Sequence, residues 1–196
     1  MRPLYVAEPL AAALFWTLYM AWFAFEAGNM LRLRRPPNGV SQDRGSKIAL
    51  IGGVYVAVFC GFAFAFAAPA GTIVWQRHTL FYAGLVLLIG GIVLRAYAAR
   101  WLGTWFTLDV MTRPGQVVVD SGPYRWVRHP AYSGSLLTVL GILSCATNWF
   151  VLACFVPVLM GYGYRIAVEE NALANDLGDP YREYMRRTKR LIPFLF

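Results

Sequence analysis

Residues 130–164 form 35 consecutive positions without a charged side chain, and this run restricts the fold more than any other feature of the chain. One membrane-crossing helix takes about 20 apolar residues. The run is therefore too long for one span and suits two, with Thr147, Asn148 and Trp149 as the turn of a hairpin. Three further charge-free runs, at 9–25, 48–74 and 79–94, bring the expected number of spans to five. With 58% hydrophobic and 14% charged residues among 196, there is more apolar surface than one soluble core of this length can cover. The expected fold class is an all-α integral membrane protein of about five transmembrane helices, with a C-terminal helical hairpin and a cytoplasmic amphipathic tail. The N-terminal run reads as a retained span, because a basic cluster follows it and a small-residue cleavage site does not.

The net charge of +8 does not point to nucleic acid once its distribution is read. Five Arg/Lys residues lie in 31–47, five in 95–128 and six from Arg165 to the end, which leaves only Arg2 and Arg77 elsewhere. Five spans put all three clusters on one side. The positive-inside rule makes that side cytoplasmic, with the N-terminus outside and the C-terminus inside, in the inner membrane if the host is bacterial. Arg32, Arg34 and Arg35 are accordingly expected to set topology against anionic lipid. Cys60, Cys145 and Cys154 fall within spans and show no metal-ligand spacing, so they read as apolar fillers.

The chain is expected to form a single membrane domain over 1–196. The first three spans occupy 1–94, a cytoplasmic ligand-holding loop 95–132, the hairpin 133–168 and the amphipathic segment 169–196. The first span ends at Pro36, Pro37, Asn38 and Gly39, which forbid continuation of a helix. Glu26, near that end, is expected to cap a basic partner at the interface, the alternative being that it lines a cavity. His78 reads as interfacial too, whereas Arg95 lies about a turn deeper than Arg100 and could face a site. The β-branched run after Pro114-Gly115 favours an extended segment. Its free N–H and C=O groups would be tolerated beside a membrane if buried in protein or bound to a ligand. Gly161 and Gly163 are expected to allow close helix contact, and residues 171–190 to form an amphipathic segment broken at Gly178-Asp179-Pro180.

The chemistry concentrates at one face. Tyr124, Arg128, His129, Tyr132, Arg165, Glu169 and Glu170 converge there if the hairpin packs on the segment before it, and helical spacing puts Arg165 and Glu169 on one face. Two histidines 51 positions apart make no metal site unaided, and the chain has no GxGxxG, GxxxxGK[ST], HExxH or GxSxG motif. No metal and no nucleic-acid partner are expected.

The residues GPYRWVRHPAYSG at 122–134, followed by RIAVEENAL at 165–173, Gly178, Tyr181 and Tyr184, resemble the isoprenylcysteine carboxyl methyltransferase family, to which the membrane phospholipid methyltransferases are related. Trp101-Leu102-Gly103 and Phe106-Thr107 fit the family's span ending as well. The similarity covers roughly half the chain, from about Arg95 onward, and the first two spans carry no diagnostic residue. The resemblance implies S-adenosylmethionine as cofactor and S-adenosylhomocysteine as product, held without a Rossmann fold. It places cofactor contacts on Gln116, Val117, Val118, Val119, Tyr124, His129, Pro130, Ala131, Tyr132 and Glu169. Arg165 would bind the substrate, and Arg165 and Glu169 are the catalytic candidates. The serine of AYSG departs from the larger residues common in the family.

The residues themselves are compatible with those roles. Glu169 can pair with a cationic ligand. A carboxylate acceptor is ionised at neutral pH and needs a cation to orient it, which Arg165 supplies with bidentate geometry. An amine acceptor would need a base, and His129 is the nearby imidazole. The expected function is methyl transfer to a lipophilic small-molecule or prenylated acceptor, through a carboxylate, at the cytoplasmic membrane face. A membrane sterol or steroid reductase using NADPH, which shares an RHPxYxG-like element, is the alternative enzyme class. A non-catalytic scaffold is the other, and it leaves the His129, Tyr124, Tyr132, Arg165 and Glu169 cluster unexplained.

Overall fold

A computed structural model describes residues 2–32 and 40–193 of the chain. The expected turn at Pro36–Gly39, with Arg34 and Arg35, lies outside the described residues. Helix α1 is a short turn at Leu4–Ala7, α2 spans Pro9–Arg32, α3 Ser46–Ala67 and α4 Arg77–Leu102. A two-residue strand β1 (Val40–Ser41) precedes α3 and pairs antiparallel with β2 (Met111–Thr112) in the loop after α4. The remaining helices are α5 (Pro130–Ser144), α6 (Trp149–Ala153), α7 (Phe155–Asp176) and α8 (Asp179–Arg187).

Among the described residues, four helical stretches are long and apolar enough to cross a membrane: Pro9–Arg32, Ser46–Ala67, Arg77–Trp105 and Trp149–Asp176. Pro130–Ser144 is apolar but shorter, at 15 residues. At about 1.5 Å per residue it covers roughly 22 Å, less than the ~30 Å hydrocarbon core. The outer faces of the long helices carry Leu10, Met20, Val56, Phe59, Val86 and Met160, all exposed, as lipid contact requires and water contact does not. Residues 145–148 separate α5 from α6. The Asn148 side chain caps α6 by accepting from the N–H groups of Phe150 at 2.9 Å and Val151 at 3.4 Å. Pro157, which has no N–H to donate, follows the break between α6 and α7 at Cys154.

The close helix contact lies elsewhere than expected. A Cβ at Gly161 would meet only ordinary contacts 3.6 Å away, and one at Gly163 nothing within 4 Å. The tight seam is between α4 and α5. A Cβ on Gly91 would lie 2.5 Å from the carbonyl oxygen of Gly134, and one on Gly134 would lie 2.6 Å from the backbone nitrogen of Arg95. Glycine permits this approach of two helix backbones, and it sets Arg95 against the first turns of α5.

The tail begins later than residue 169, because α7 continues to Asp176. The break is as expected, with Gly178 at φ +64°. Helix α8 then buries Tyr181 and Tyr184 and turns Arg182, Arg186 and Arg187 outward. Beyond it the chain runs alongside residues 127–129. Arg128 N–H donates to the Lys189 carbonyl at 2.7 Å and His129 N–H to that of Arg190 at 3.0 Å. The C-terminal segment thus fixes the backbone of the RHP motif.

Candidate active site

The loop between α4 and α5 closes one end of the bundle, and two cavities meet beneath it. The larger, of about 350 Å³, is bounded by Trp22, Glu26 and Met30 of α2, Leu50 and Val54 of α3, Arg95 of α4, Tyr132 and Val139 of α5, and Tyr162 and Arg165 of α7. The smaller, of about 80 Å³, lies between residues 116–119, Trp105, Tyr181 and Tyr184. Trp105, Tyr124, Arg128, His129 and Glu169 border both. One cavity is mostly hydrocarbon in character, the other mixes polar and aromatic groups with aliphatic ones, and the border between them combines Trp105 with residues of the GPYRWVRHP and EE motifs.

The two adjacent carboxylates divide their work because consecutive helix residues point about 100° apart. Glu170 is buried and satisfied. It accepts from Arg128 Nε at 2.7 Å and Arg190 Nε at 3.0 Å, and lies 3.4 Å from His129 Nε2. Arg128 also donates from Nη1 to the carbonyls of Met185 and Thr188. This network ties α7 to the loop and to the C-terminal segment. Glu169 instead borders both cavities, and its Oε2 accepts from the Tyr132 hydroxyl at 2.6 Å. The Tyr132 ring stacks on His129 with centroids 5.4 Å apart and planes 10° from parallel.

Arg165 is held from four directions. Its Nε donates to the Tyr132 hydroxyl at 3.1 Å, Nη1 to Asp43 and to Ser46 Oγ at 2.9 Å, and Nη2 to the Leu108 carbonyl at 2.7 Å. One guanidinium proton has no partner among the described residues, and the side chain stays in the wall of the large cavity. Arg95 has more to offer. Its Nε and Nη2 donate to the two oxygens of Glu26 at 2.6 and 2.9 Å, while Nη1 has no hydrogen-bond partner among the described residues. Glu26 has a basic partner in Arg95 and also borders the large cavity. Lys47 reaches the same wall and pairs with Asp109 at 3.0 Å.

Outside the spans, burial sets the protonation of the remaining groups. It raises the phenols of Tyr124, Tyr181 and Tyr184, and for the first two the nearby Glu169 carboxylate raises them further. All three remain protonated donors. Burial alone would raise Asp43 as well, but the Lys47 backbone N–H, the Arg165 guanidinium and the Ser46 hydroxyl together hold it below the usual carboxylate range.

The sequence candidates therefore fall into three groups. Gln116, Val117, Val118, Val119, Tyr124, His129 and Glu169 line the small cavity; Tyr124, His129, Ala131, Tyr132, Arg165 and Glu169 line the large one. Pro130 borders neither; it is the buried first residue of α5, where a missing N–H costs nothing. Val117, Val118 and Val119 enter no backbone hydrogen bond among the described residues, so their amides are available to a ligand. His78 is exposed and pairs with Glu8 at 2.9 Å, away from both cavities. Glu26 and Lys47 border the large cavity, Asp109 borders the small one and Asp43 holds Arg165, positions that the sequence motifs do not announce. The spacing of Asp43 before Ser46 and Lys47 signals only a helix start, which it also provides, with Oδ2 accepting from Lys47 N–H at 3.0 Å.

These features define a helical membrane protein in which a mostly apolar cavity abuts a smaller one of mixed lining. Residues 84–175 match the model of the isoprenylcysteine carboxyl methyltransferase (ICMT) family. A probable protein-S-isoprenylcysteine O-methyltransferase of Oryza sativa subsp. indica is 32% identical over 117 residues, 58% of this chain and 61% of that protein. The protein-S-isoprenylcysteine O-methyltransferase of Saccharomyces cerevisiae is 33% identical over 115 residues, covering 57% of this chain and 48% of its own. Among solved structures, the eukaryotic intramembrane Ras methyltransferase ICMT without a monobody superimposes with a TM-score of 0.57 at 28% identity. That match covers 75% of this chain and 51% of the other. The chain thus spans between about half and three-fifths of the length of these relatives.

Proposed function

We propose that this protein is an integral membrane methyltransferase that uses S-adenosylmethionine to methylate the carboxylate of a lipophilic acceptor of the isoprenylcysteine type. The observation that carries the reading is the pair of cavities, one mostly apolar and one of mixed lining, sharing Tyr124, His129 and Glu169 on their common border. The basic end of the bundle is taken as cytoplasmic, with α5 as the fifth crossing element and the N-terminus outside.

The residues of the small cavity fit the cofactor. Glu169 Oε1 has no hydrogen-bond partner among the described residues and can hold an ammonium group. The free amides of Val117–Val119 and the ring of Trp105 offer an edge and a face to a purine. Aromatic walls also favour a cation, a sulfonium included. S-adenosylmethionine would supply a sulfonium methyl open to in-line displacement. Such a reaction asks the protein chiefly for alignment and exclusion of water. Arg95 and the remaining proton of Arg165 form a cationic wall that orients an acceptor carboxylate, while Trp22, Leu50, Val54 and Val139 receive its apolar tail. Tyr132 links the two halves, because one hydroxyl touches both Arg165 and Glu169.

Calorimetry of the detergent-purified protein with S-adenosylhomocysteine and with NADPH tests the cofactor assignment. Binding of the first and not the second is expected. Binding of NADPH alone would replace this reading with that of a reductase.

A further inference from the structure

Glu26 lies outside the family-matched residues 84–175, in a helix that otherwise carries only apolar and small polar side chains between Pro9 and Met30. A carboxylate at that depth is costly unless paired. It takes one specific edge of Arg95: Oε1 on Nε at 2.6 Å and Oε2 on Nη2 at 2.9 Å. A guanidinium has five N–H groups and a second carboxylate-binding edge, formed by Nη1 and Nη2. Arg95 Nη1 has no partner among the described residues, and the side chain borders the large cavity. The other side of the guanidinium lies over the Phe106 ring, 5.9 Å from its centroid, and the Arg95 backbone is pinned against Gly134.

We propose that Glu26 is a positioning residue for the acceptor: it locks Arg95 by its Nε/Nη2 edge so that the Nη1/Nη2 edge faces the cavity as a fixed fork for a lipid carboxylate. The inference rests on the methyltransferase reading and deepens it. It gives the N-terminal half of the chain a part in selecting carboxylate acceptors. The pair also carries no net charge, so the empty apolar cavity is spared an isolated cation, while the hydrogen-bonding geometry for one anion is retained.

The test uses the full chain reconstituted in lipid nanodiscs, labelled S-adenosylmethionine and an S-prenylated N-acetylcysteine. Its carboxamide analogue, which cannot accept a bidentate pair, serves as competitor. Displacing a reacting group by about 1 Å costs on the order of a hundredfold. Glu26→Gln is accordingly expected to lower kcat/KM by roughly tenfold to a hundredfold and to narrow the preference for carboxylate over carboxamide. S-adenosylhomocysteine affinity should stay unchanged. Glu26→Asp should recover part of the loss. Arg95→Lys should be defective, and Glu26→Gln added to it should cost little more, since both act on one fork. An active wild type with a Glu26→Gln variant of unchanged rate and unchanged carboxylate preference overturns the positioning role alone. The same holds if the two losses add in full. If Glu26→Gln loses S-adenosylhomocysteine binding too, Glu26→Asp decides: the role stands if that variant binds normally and shows an intermediate rate, and falls if it behaves as wild type. A wild type that transfers no methyl group overturns the function and not this geometry.

Discussion

Tyr132→Phe isolates a single oxygen. The phenyl ring keeps the stack on His129 at 5.4 Å and the edge contact with Tyr162, also at 5.4 Å. What is lost is a hydroxyl that accepts from Arg165 Nε at 3.1 Å and donates to Glu169 Oε2 at 2.6 Å. A hydrogen bond to a charged group contributes about 1.5–3 kcal/mol. The bond to Glu169 stabilises the carboxylate that borders the small cavity, so if Glu169 then moves or repacks, roughly half of that range or more should appear as lost cofactor affinity. A loss of ~1.4 kcal/mol corresponds to about tenfold in Kd. Titration calorimetry with S-adenosylhomocysteine is the assay, beside thermal unfolding of the same sample. A fall in affinity of about tenfold, with a smaller change in unfolding midpoint, is expected. Wild-type affinity would show that Glu169 needs no holding by Tyr132, and the link between the two cavities would be removed.

Three further outcomes follow from the same geometry. Glu170→Ala leaves the Arg128 guanidinium, whose side chain is only 8% exposed, without its carboxylate. Breaking a buried pair on one side costs about 3–5 kcal/mol, so the variant should express poorly and unfold early, and a wild-type-like midpoint would contradict the assigned network. Gly91→Leu should prevent assembly of the α4–α5 seam, where a Cβ already falls 2.3 Å from Thr138 Oγ1; recovery of a monodisperse, cofactor-binding protein would refute that packing. For Asp43 the sign runs from its depressed pKa. Its stabilising contribution is complete above the ordinary value of ~3.9 and is lost as pH falls through the lower folded value. The stability gap between wild type and Asp43→Asn, measured by urea unfolding, should therefore be wide at neutral pH and close in acid. A gap that widens on acidification would reverse the assignment.

Much of this architecture is legible in the chain because membranes impose lengths and leave charges few places to go. The runs at 48–74 and 79–94 locate α3 and α4 but not their C-terminal ends, and Asn148 marks a helix start because its side chain caps α6. The short reach of α5 is not legible, since a charge-free run says nothing of where the helix stops; three further residues in the same apolar composition turn at Cys145–Thr147. Gly161 and Gly163 misdirect for a similar reason. Small residues permit close approach, but only the partner helix decides whether it occurs, and the partners turned out to be Gly84, Gly91, Gly134 and Gly141. In the site, the motif residues 122–134 and 165–170 are visible as a cluster because their charges are locally dense. The partners of Arg95 and Arg165 are not, because Glu26 lies 69 positions from one and Asp43 122 from the other. Such pairs are set by how the helices are arranged in space, which no local pattern encodes.

The central claim is that the two cavities bring a methyl donor and a lipid carboxylate to one border. The most direct measurement is transfer of labelled methyl from S-adenosylmethionine to an S-prenylated N-acetylcysteine by the purified protein in nanodiscs, with the product analysed by mass spectrometry before and after mild alkali. A base-labile methyl ester, formed in proportion to protein and blocked by S-adenosylhomocysteine, is the predicted result. No methyl transfer, or a methyl group on nitrogen that survives alkali, would contradict it.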